Sequence, residues 1–329
     1  MSFPFNVYLL AVASGFVVAL LSLPLWRRWC VHTGLVDDPG HRKIHHEPVP
    51  LAGGLAVMTG LLAPLLGAIF LALWNWTTAP VDPNTIVWMR YGFHRRLPEL
   101  LGIFGGAFGM LVLGWLDDKH ELSPGRKFLG QLLIALLVAA SGVRITLFVP
   151  NLLFSYAVTV LWILTIINAL NFMDNMNGLC AGLGAIAAWN FAVIASADGQ
   201  YLVALIAFLT CGSLLGFLPH NYPTAKAFLG DSGSHLTGYL LAVVAILPHF
   251  HTPDNPHPLA VLKPLLVLGV PLVDLAQVVI YRWRIGQPVY VGDNNHLSHR
   301  LVRTGLSRSL AVALLWLAGA LIGGIACWL

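Results

Sequence analysis

Long apolar runs alternate with short polar segments along the whole chain. Many of these runs hold about 18 or more apolar residues, and a bilayer core needs about 20 residues of helix to cross it. The runs are continuous rather than alternating, which favours helices over the strands of a membrane barrel. The pattern predicts ten membrane-spanning helices at approximately 5–26, 51–73, 99–116, 128–142, 152–170, 179–196, 201–218, 234–248, 259–281 and 309–328.

The composition agrees with a membrane protein. Of the 329 residues, 57% are hydrophobic and only 10% are charged, whereas a soluble domain is usually about a quarter charged. We therefore predict an all-α polytopic membrane protein that forms a single integral-membrane domain over residues 1–329. The net charge of +4 is spread over the loops. This distribution fits lipid head groups or phosphates and argues against nucleic-acid binding.

Five polar segments contain nearly all of the candidate chemistry. They are the first segment (Asp37–Pro50), the acidic segment (Gly114–Lys127), the asparagine segment (Asn168–Gly178), the glycine-aspartate segment (Phe228–Ser234) and the histidine segment (Val291–Arg303). Lys and Arg concentrate in the cytoplasmic loops of membrane proteins, and their distribution here predicts that both termini lie outside. This orientation brings all five segments, with most of the acidic residues, to the cytoplasmic face. Acidic residues hardly influence topology, so their gathering there indicates a site that binds an anion and a metal.

Three aspartates are the candidates for catalysis and metal binding. Asp117 and Asp118 end the third predicted span, and Asp231 lies in Gly-Asp-Ser-Gly-Ser just before the eighth. Oxygen ligands of this kind suit Mg²⁺, which often shares its coordination shell with substrate phosphates. A solvated helix end and an ordinary capped turn are the alternative interpretations.

Amide and basic side chains supply candidates for substrate binding. Asn171, Asp174 and Asn177 are spaced by three, so on a helix they would share one face, where they could pair with a base edge, a sugar hydroxyl or a metal-bound water. Interhelical hydrogen bonding is the alternative. A basic set suited to diphosphate oxygens comprises Lys43, His45, His296, His299 and Arg300. For Lys43 and His45, a plain positive-inside signal explains the charge equally well.

Asp274 differs from these residues because it lies inside the ninth predicted span. An ionisable residue within a span is costly and marks either function or helix pairing. It follows Pro271 and precedes Arg282 by a few turns. The sequence leaves both interpretations open.

These segments resemble the polyprenyl-phosphate N-acetylhexosamine-1-phosphate transferases. The resemblance rests on Asp37–Gly54, on Leu116–Gln131 with its paired aspartates, on Phe228–Ser234, and on Pro271, Asp274 and Arg282. It implies ten helices with both termini outside and a cytoplasmic active site. It also implies transfer of a sugar-1-phosphate, by default N-acetylglucosamine-1-phosphate, from a UDP-sugar to polyprenyl phosphate with release of UMP. A bacterial cytoplasmic membrane location and a homodimer are further implications.

The resemblance assigns roles to the candidate residues. Asp117 and Asp118 correspond to the essential acidic pair, and Asp231 to the Mg²⁺ ligand, with Mn²⁺ as a substitute ion. The nucleotide-sugar site is expected at Asn171 and Asp174, with Asn177 beside them. The diphosphate and sugar are expected near His296 and His299.

The chain departs from the family pattern at two places. The family usually reads Asp-Gly-x-Asp-Gly, whereas this chain has Asp174-Asn175-Met176-Asn177-Gly178. The family's His-x-His-His is here His296-Leu297-Ser298-His299. These changes leave the donor sugar open and motivate one alternative, a catalytically weak homologue that acts as a binding or assembly partner. A secondary transporter is a further alternative. Transporters usually place polar groups near the bilayer midplane and often carry repeats, whereas here the polar groups lie at one face, no repeat is visible, and only Asp274 supports a transporter.

Overall fold

The protein is helical over most of each predicted span. A computed structural model describes residues 3–38, 47–73, 87, 95–146, 149–248 and 258–329. The α-helices are α1 (Phe5–Thr33), α2 (Gly53–Leu73), α3 (Leu97–His120), α4 (Pro124–Ala140), α5 (Leu152–Met173), α6 (Leu179–Ala197), α7 (Tyr201–Phe217), α8 (Gly230–Ile246), α9 (Lys263–Val267), α10 (Gly269–Arg284), α11 (Leu297–Arg303) and α12 (Arg308–Ala326). Short 3₁₀ turns at Leu218–His220 and Pro258–Leu262 and two strands, β1 (Val36–Asp37) and β2 (Val49–Pro50), complete the described elements.

Most of these helices are long enough to cross a bilayer. Among the described residues, seven helical segments are apolar and have at least 18 residues when the 3₁₀ turn at Leu218–His220 is counted with α7, and one bent pair would make an eighth span. Two further predicted spans correspond to α4 and α8, which have 17 residues each. The prediction of an all-α polytopic membrane protein is therefore confirmed, whereas the count of ten and the orientation remain predictions.

The ninth predicted span is broken rather than continuous. The segment before Leu268 and helix α10 meet at an angle of 74°. Pro271 lies in the first turn of α10 and has no N–H to donate to the carbonyl of Val267, so the helical hydrogen bonding is interrupted at this point. The break places the polar side of α10 next to the histidine segment.

Helix α8 lies at the centre of the bundle and is almost entirely buried. It packs against α2, α3, α5 and α6, while α1 packs along α7. The hydroxyl of Tyr239 in α8 donates a hydrogen bond of 2.9 Å to the carbonyl of Ile103 in α3. The N-terminus of α8 therefore lies beside the C-terminal end of α3, which brings the glycine-aspartate segment to the acidic segment.

The two strands attach the ends of the first segment to the same region. They pair antiparallel, with Val36 opposite Pro50 and Asp37 opposite Val49. The backbone N–H of Phe228 donates to the carbonyl of Pro50 at 2.9 Å. The first segment thus begins and ends next to the glycine-aspartate segment, although Lys43 and His45 lie outside the described residues.

Candidate active site

The neighbouring carboxylates of Asp117 and Asp118 have different partners. Asp117 is buried, forms a salt bridge of 2.6 Å with Lys127 and accepts a hydrogen bond from the Leu122 N–H at 2.9 Å. Asp118 instead accepts from two backbone N–H groups at the start of α8, those of Asp231 at 2.7 Å and Ser232 at 3.0 Å. Asp118 therefore holds the turn that presents Asp231, while Asp117 faces a cation.

Asp231 is held from both sides. One of its carboxylate oxygens lies 3.0 Å from the Lys127 ammonium, and the other accepts a hydrogen bond of 2.5 Å from the Asn171 amide. The preceding residue, Gly230, has φ +71°, and a Cβ there would lie 2.8 Å from an Asp118 oxygen. Only glycine meets both conditions, because the left-handed region disfavours a side chain and the carboxylate occupies the space.

Asp117 and Asp231 also belong to a group that could hold a metal ion. Ligand atoms of these two aspartates and of buried His235 all lie within 4.8 Å of one another. Nε2 of His235 lies 3.4 Å from the side-chain nitrogen of Gln131, whose oxygen accepts from Asn168 at 3.0 Å. The two carboxylates are oxygen donors of the kind that suits Mg²⁺ and Mn²⁺, and the imidazole adds one nitrogen donor.

The asparagine segment continues from this cluster. Burial raises the pKa of Asp174 to about 8, and the nearby carboxylates of Asp231 and Asp118 add to the shift. The Asn177 amide donates to the Pro223 carbonyl at 3.2 Å. The turn that follows is held by Asn221, which accepts from the Gly178 N–H at 2.6 Å. The carboxyl group of Asp174 is therefore close enough to those of Asp231 and Asp118 to be influenced by their charges.

The histidine segment is anchored by Asp274. This side chain is fully buried and accepts hydrogen bonds from Nδ1 of His296 at 2.7 Å and from the Leu297 N–H at 2.6 Å. The two interpretations of Asp274, helix pairing and function, are thus compatible. Asp274 pairs with another segment of the chain, and its partner there, His296, is a candidate site residue. Arg282 pairs with Asp293 at 2.7 Å, so it is not the partner of Asp274.

The remaining basic candidates lie close to this anchor. The rings of His296 and His299 are 6.3 Å apart between centroids. Burial lowers the pKa of His299, and the neighbouring His296, Arg308 and Arg303 lower it further. His299 is therefore mostly uncharged at neutral pH. Arg300 is exposed at the surface of α11.

Phe172 connects the asparagine and histidine segments. Its ring meets the His296 ring edge-on at 5.7 Å, and the Arg282 guanidinium lies 5.0 Å from its centroid. Asn171, the preceding residue, contacts Asp231. The structure thus joins the acidic residues, Asn171 and His296 through one short stretch of chain.

Comparison with known proteins identifies the relatives of this chain. Residues 100–249 match the family model described as glycosyl transferase family 4. A Bacillus subtilis protein named "Probable undecaprenyl-phosphate N-acetylglucosaminyl 1-phosphate transferase" is 32% identical over 323 residues, which cover 94% of this chain and 83% of the relative. The chain belongs to the polyprenyl-phosphate N-acetylglucosamine-1-phosphate transferase family.

Other members of this transferase family are also similar. The "Decaprenyl-phosphate N-acetylglucosaminephosphotransferase" of Mycobacterium leprae is 33% identical over 312 residues, covering 86% of this chain and 73% of that protein. The "Undecaprenyl-phosphate alpha-N-acetylglucosaminyl 1-phosphate transferase" of Escherichia coli K12 is 27% identical, covering 95% and 81%. The family resemblance is therefore confirmed, and the chain is a phosphosugar transferase and a multi-pass bacterial membrane protein.

Two residues at the centre of the candidate site escaped the sequence analysis. Lys127 entered only as the last residue of the acidic segment, and His235 received no role. A usable signal was present for His235, because it follows Asp231 by four residues and so shares its helix face. Lys127 has no such signal, since its approach to Asp117 and Asp231 depends on how α4 packs beside α3.

Proposed function

We propose that this protein transfers N-acetylglucosamine-1-phosphate from UDP-N-acetylglucosamine to a polyprenyl phosphate and releases UMP. The observation that carries the proposal is the cluster of Asp117, Lys127, Asn171 and Asp231, in which alternating charges and an amide surround a small volume. The choice of sugar and lipid rests on the names of the relatives from Bacillus, Mycobacterium and Escherichia. The reaction would be the first membrane step of a cell-envelope glycan pathway.

The chemistry is a substitution at phosphorus. An oxygen of the lipid phosphate forms a bond to the phosphorus that carries the sugar. The bond from that phosphorus to the bridging oxygen breaks, and its electron pair leaves with UMP. A phosphate monoester has a second pKa of about 6, so the lipid phosphate is mostly a dianion at neutral pH. Positioning and charge neutralisation therefore matter more than removal of a proton.

The charges of the cluster fit these requirements. The Lys127 ammonium lies between two carboxylates, where it can also meet phosphate oxygens. Asp117, Asp231 and His235 would hold a divalent cation, Mg²⁺ or Mn²⁺. When bound, such an ion supplies positive charge that neutralises the diphosphate. Asp118 would position Asp231 rather than contact the substrate, because its carboxylate accepts hydrogen bonds from the backbone at the start of α8.

The other predicted site residues take supporting roles in this proposal. Asp174 and Asn177 lie on the segment that follows Asn171 and would border the nucleotide sugar. His296, His299 and exposed Arg300 would meet diphosphate or sugar oxygens, and Lys43 and His45 would add positive charge from the first segment. We further propose a cytoplasmic-face site in the bacterial inner membrane. A homodimer remains a prediction.

The alternative of a catalytically weak binding partner is less well supported. Asn177 and Ser298 depart from the family pattern, but both lie outside the cluster of acids and lysine. Asn177 donates to a backbone carbonyl, and Ser298 is buried and hydrogen-bonded. Asp117, Asp118 and Asp231 match the family pattern.

The test is release of UMP by the purified protein with polyprenyl phosphate, a divalent cation and a panel of UDP-sugars. We expect release with UDP-N-acetylglucosamine and its loss on chelation of the metal. Asp231→Asn should abolish release, whereas Asp198→Asn, a change at an exposed acid beyond the end of α6, should not. Absence of UMP with every donor and with both Mg²⁺ and Mn²⁺ would overturn the proposal.

A further inference from the structure

Ser298 and Asn175 form a hydrogen bond between two distant parts of the chain. The Ser298 hydroxyl donates to the side-chain oxygen of Asn175 at 2.6 Å, across 123 residues of sequence. Ser298 is fully buried, so its hydroxyl has no access to water. The Asn175 amide nitrogen donates in turn to the Phe172 carbonyl at 2.6 Å. The oxygen and the nitrogen of the Asn175 side-chain amide are therefore both hydrogen-bonded.

Each of these two residues is also a position at which its segment departs from the family pattern, and Asn177 is a further departure in the asparagine segment. The pattern has glycine where this chain has Asn175 and histidine where it has Ser298. A buried hydroxyl without an acceptor is costly, so Ser298 needs Asn175. An imidazole at position 298 is larger than a hydroxymethyl group, and it would need the space that the Asn175 side chain fills. The residues at positions 175 and 298 are therefore matched to each other, whereas Asn177 donates elsewhere, to the Pro223 carbonyl.

The bond joins two groups of candidate site residues. Ser298 lies between His296 and His299 in the first turn of α11. Asn175 directly follows Asp174 and lies four residues after Asn171, which contacts Asp231. The bond therefore connects the segment that carries the histidines to the segment that follows Asn171.

We propose that Asn175 and Ser298 are a positioning pair that holds the histidine segment against the asparagine segment in the reactive geometry. This inference rests on the proposed function, because the histidines are taken to meet the diphosphate or sugar of the donor. Neither residue is assigned contact with substrate. Both act by placing the residues beside them.

A double-mutant cycle on UMP release tests the pair. Ser298→Ala and Asn175→Ala each remove the bond, and we expect kcat/KM for the UDP-sugar to fall about tenfold in each, the factor that the loss of one buried hydrogen bond typically produces. The double variant should be no worse than the poorer single variant, because only one interaction is lost. Ser213→Ala serves as the matched control, since Ser213 is equally buried and donates only to its own helix at Leu209.

An exchange of the pair tests the explanation of the departures. Ser298→His alone should lower kcat/KM by more than about tenfold, because overpacking a buried site usually costs more than a lost hydrogen bond. Adding Asn175→Gly should restore kcat/KM to within about threefold of the original protein, because the space and the partner change together. General damage to the fold would also change KM for the lipid phosphate, so a loss confined to kcat/KM for the UDP-sugar marks a positioning role.

The outcomes separate this inference from the proposed function. If the unmodified protein releases no UMP, the proposed function fails, and the pair is then judged by hydrogen exchange of the backbone. Ser298→Ala should speed exchange in both segments by at least about fivefold, which corresponds to loss of one hydrogen bond of about 1 kcal/mol. Single effects that multiply in the double variant, no rescue by exchange, or unchanged hydrogen exchange in both segments would each overturn the pair.

Discussion

Replacement of Asp274 by Asn tests how the histidine segment is held in place. The carboxylate is fully buried and accepts hydrogen bonds of 2.7 and 2.6 Å from His296 and Leu297. Asparagine has nearly the same shape but only one acceptor oxygen, so one buried donor would face an amide N–H₂. A hydrogen bond to a charged group contributes about 1.5–3 kcal/mol, and an unsatisfied buried donor costs about 1–3 kcal/mol.

These magnitudes give an expected loss of about 2–3 kcal/mol, or about 30- to 140-fold in kcat/KM at about 1.4 kcal/mol for each factor of ten. The assay is UMP release by Asp274→Asn, with the thermal unfolding temperature measured on the same preparation. Asp198→Asn again serves as the exposed control. A folded Asp274→Asn protein that keeps activity within about twofold would refute the reasoning, because the histidine segment would then not depend on this anchor.

Three further predictions concern the packing and charge of the site. Lys127→Met should lower kcat for UMP release by about 100-fold or more, the usual effect of removing one charge-stabilising group. Lys226 is exposed, so Lys226→Met should leave UMP release unchanged. Comparable losses in both variants would contradict this prediction. Gly114→Ala would place a Cβ 2.4 Å from a backbone oxygen of the glycine-aspartate segment, whereas at Gly105 in the same helix nothing lies within 4 Å. We therefore expect Gly114→Ala to lose at least about tenfold in UMP release, since overpacking costs about 1–3 kcal/mol, and Gly105→Ala to match the original protein. Partial burial raises the pKa of Asp293, but the hydrogen bonds that it accepts outweigh this, so the pKa lies below its usual range. Its ion pair with Arg282 stabilises the fold above the unfolded-state pKa of about 4, and this stabilisation is lost as the pH falls through the lower folded-state value. Asp293→Asn should therefore unfold at a lower temperature than the original protein at neutral pH, and the difference between their unfolding temperatures should shrink in acid. An equal difference at both pH values would count against the ion pair.

The helices were predictable because each depends on local composition. A run of about 20 apolar residues must form its own backbone hydrogen bonds in a bilayer, and α1, α5 and α7 follow such runs closely. The bend near Leu268 was not predicted, although Pro271 was the signal for it. A hydropathy average over a window of residues does not register the missing backbone N–H of a proline.

Candidate site residues could be recognised from the sequence where a short local motif marks them. Asp117, Asp118 and Asp231 were each recognised, and the structure brings them together. The different partners of Asp117 and Asp118 were not predictable. They depend on the tertiary packing that brings the backbone of α8 to Asp118 rather than to Asp117. Lys127 and the bond between Asn175 and Ser298 depend on tertiary packing between distant segments, for which a single sequence carries no local signal.

The fate of the sugar-linked phosphorus tests the central claim most directly. UDP-N-acetylglucosamine labelled at its β-phosphorus is incubated with the purified protein, polyprenyl phosphate and Mg²⁺, and the lipid and aqueous phases are counted separately. Transfer of a sugar-1-phosphate predicts that the label moves to the lipid phase while UMP accumulates in the water. Label that stays in the aqueous phase as UDP, with the sugar alone on the lipid, would contradict the account.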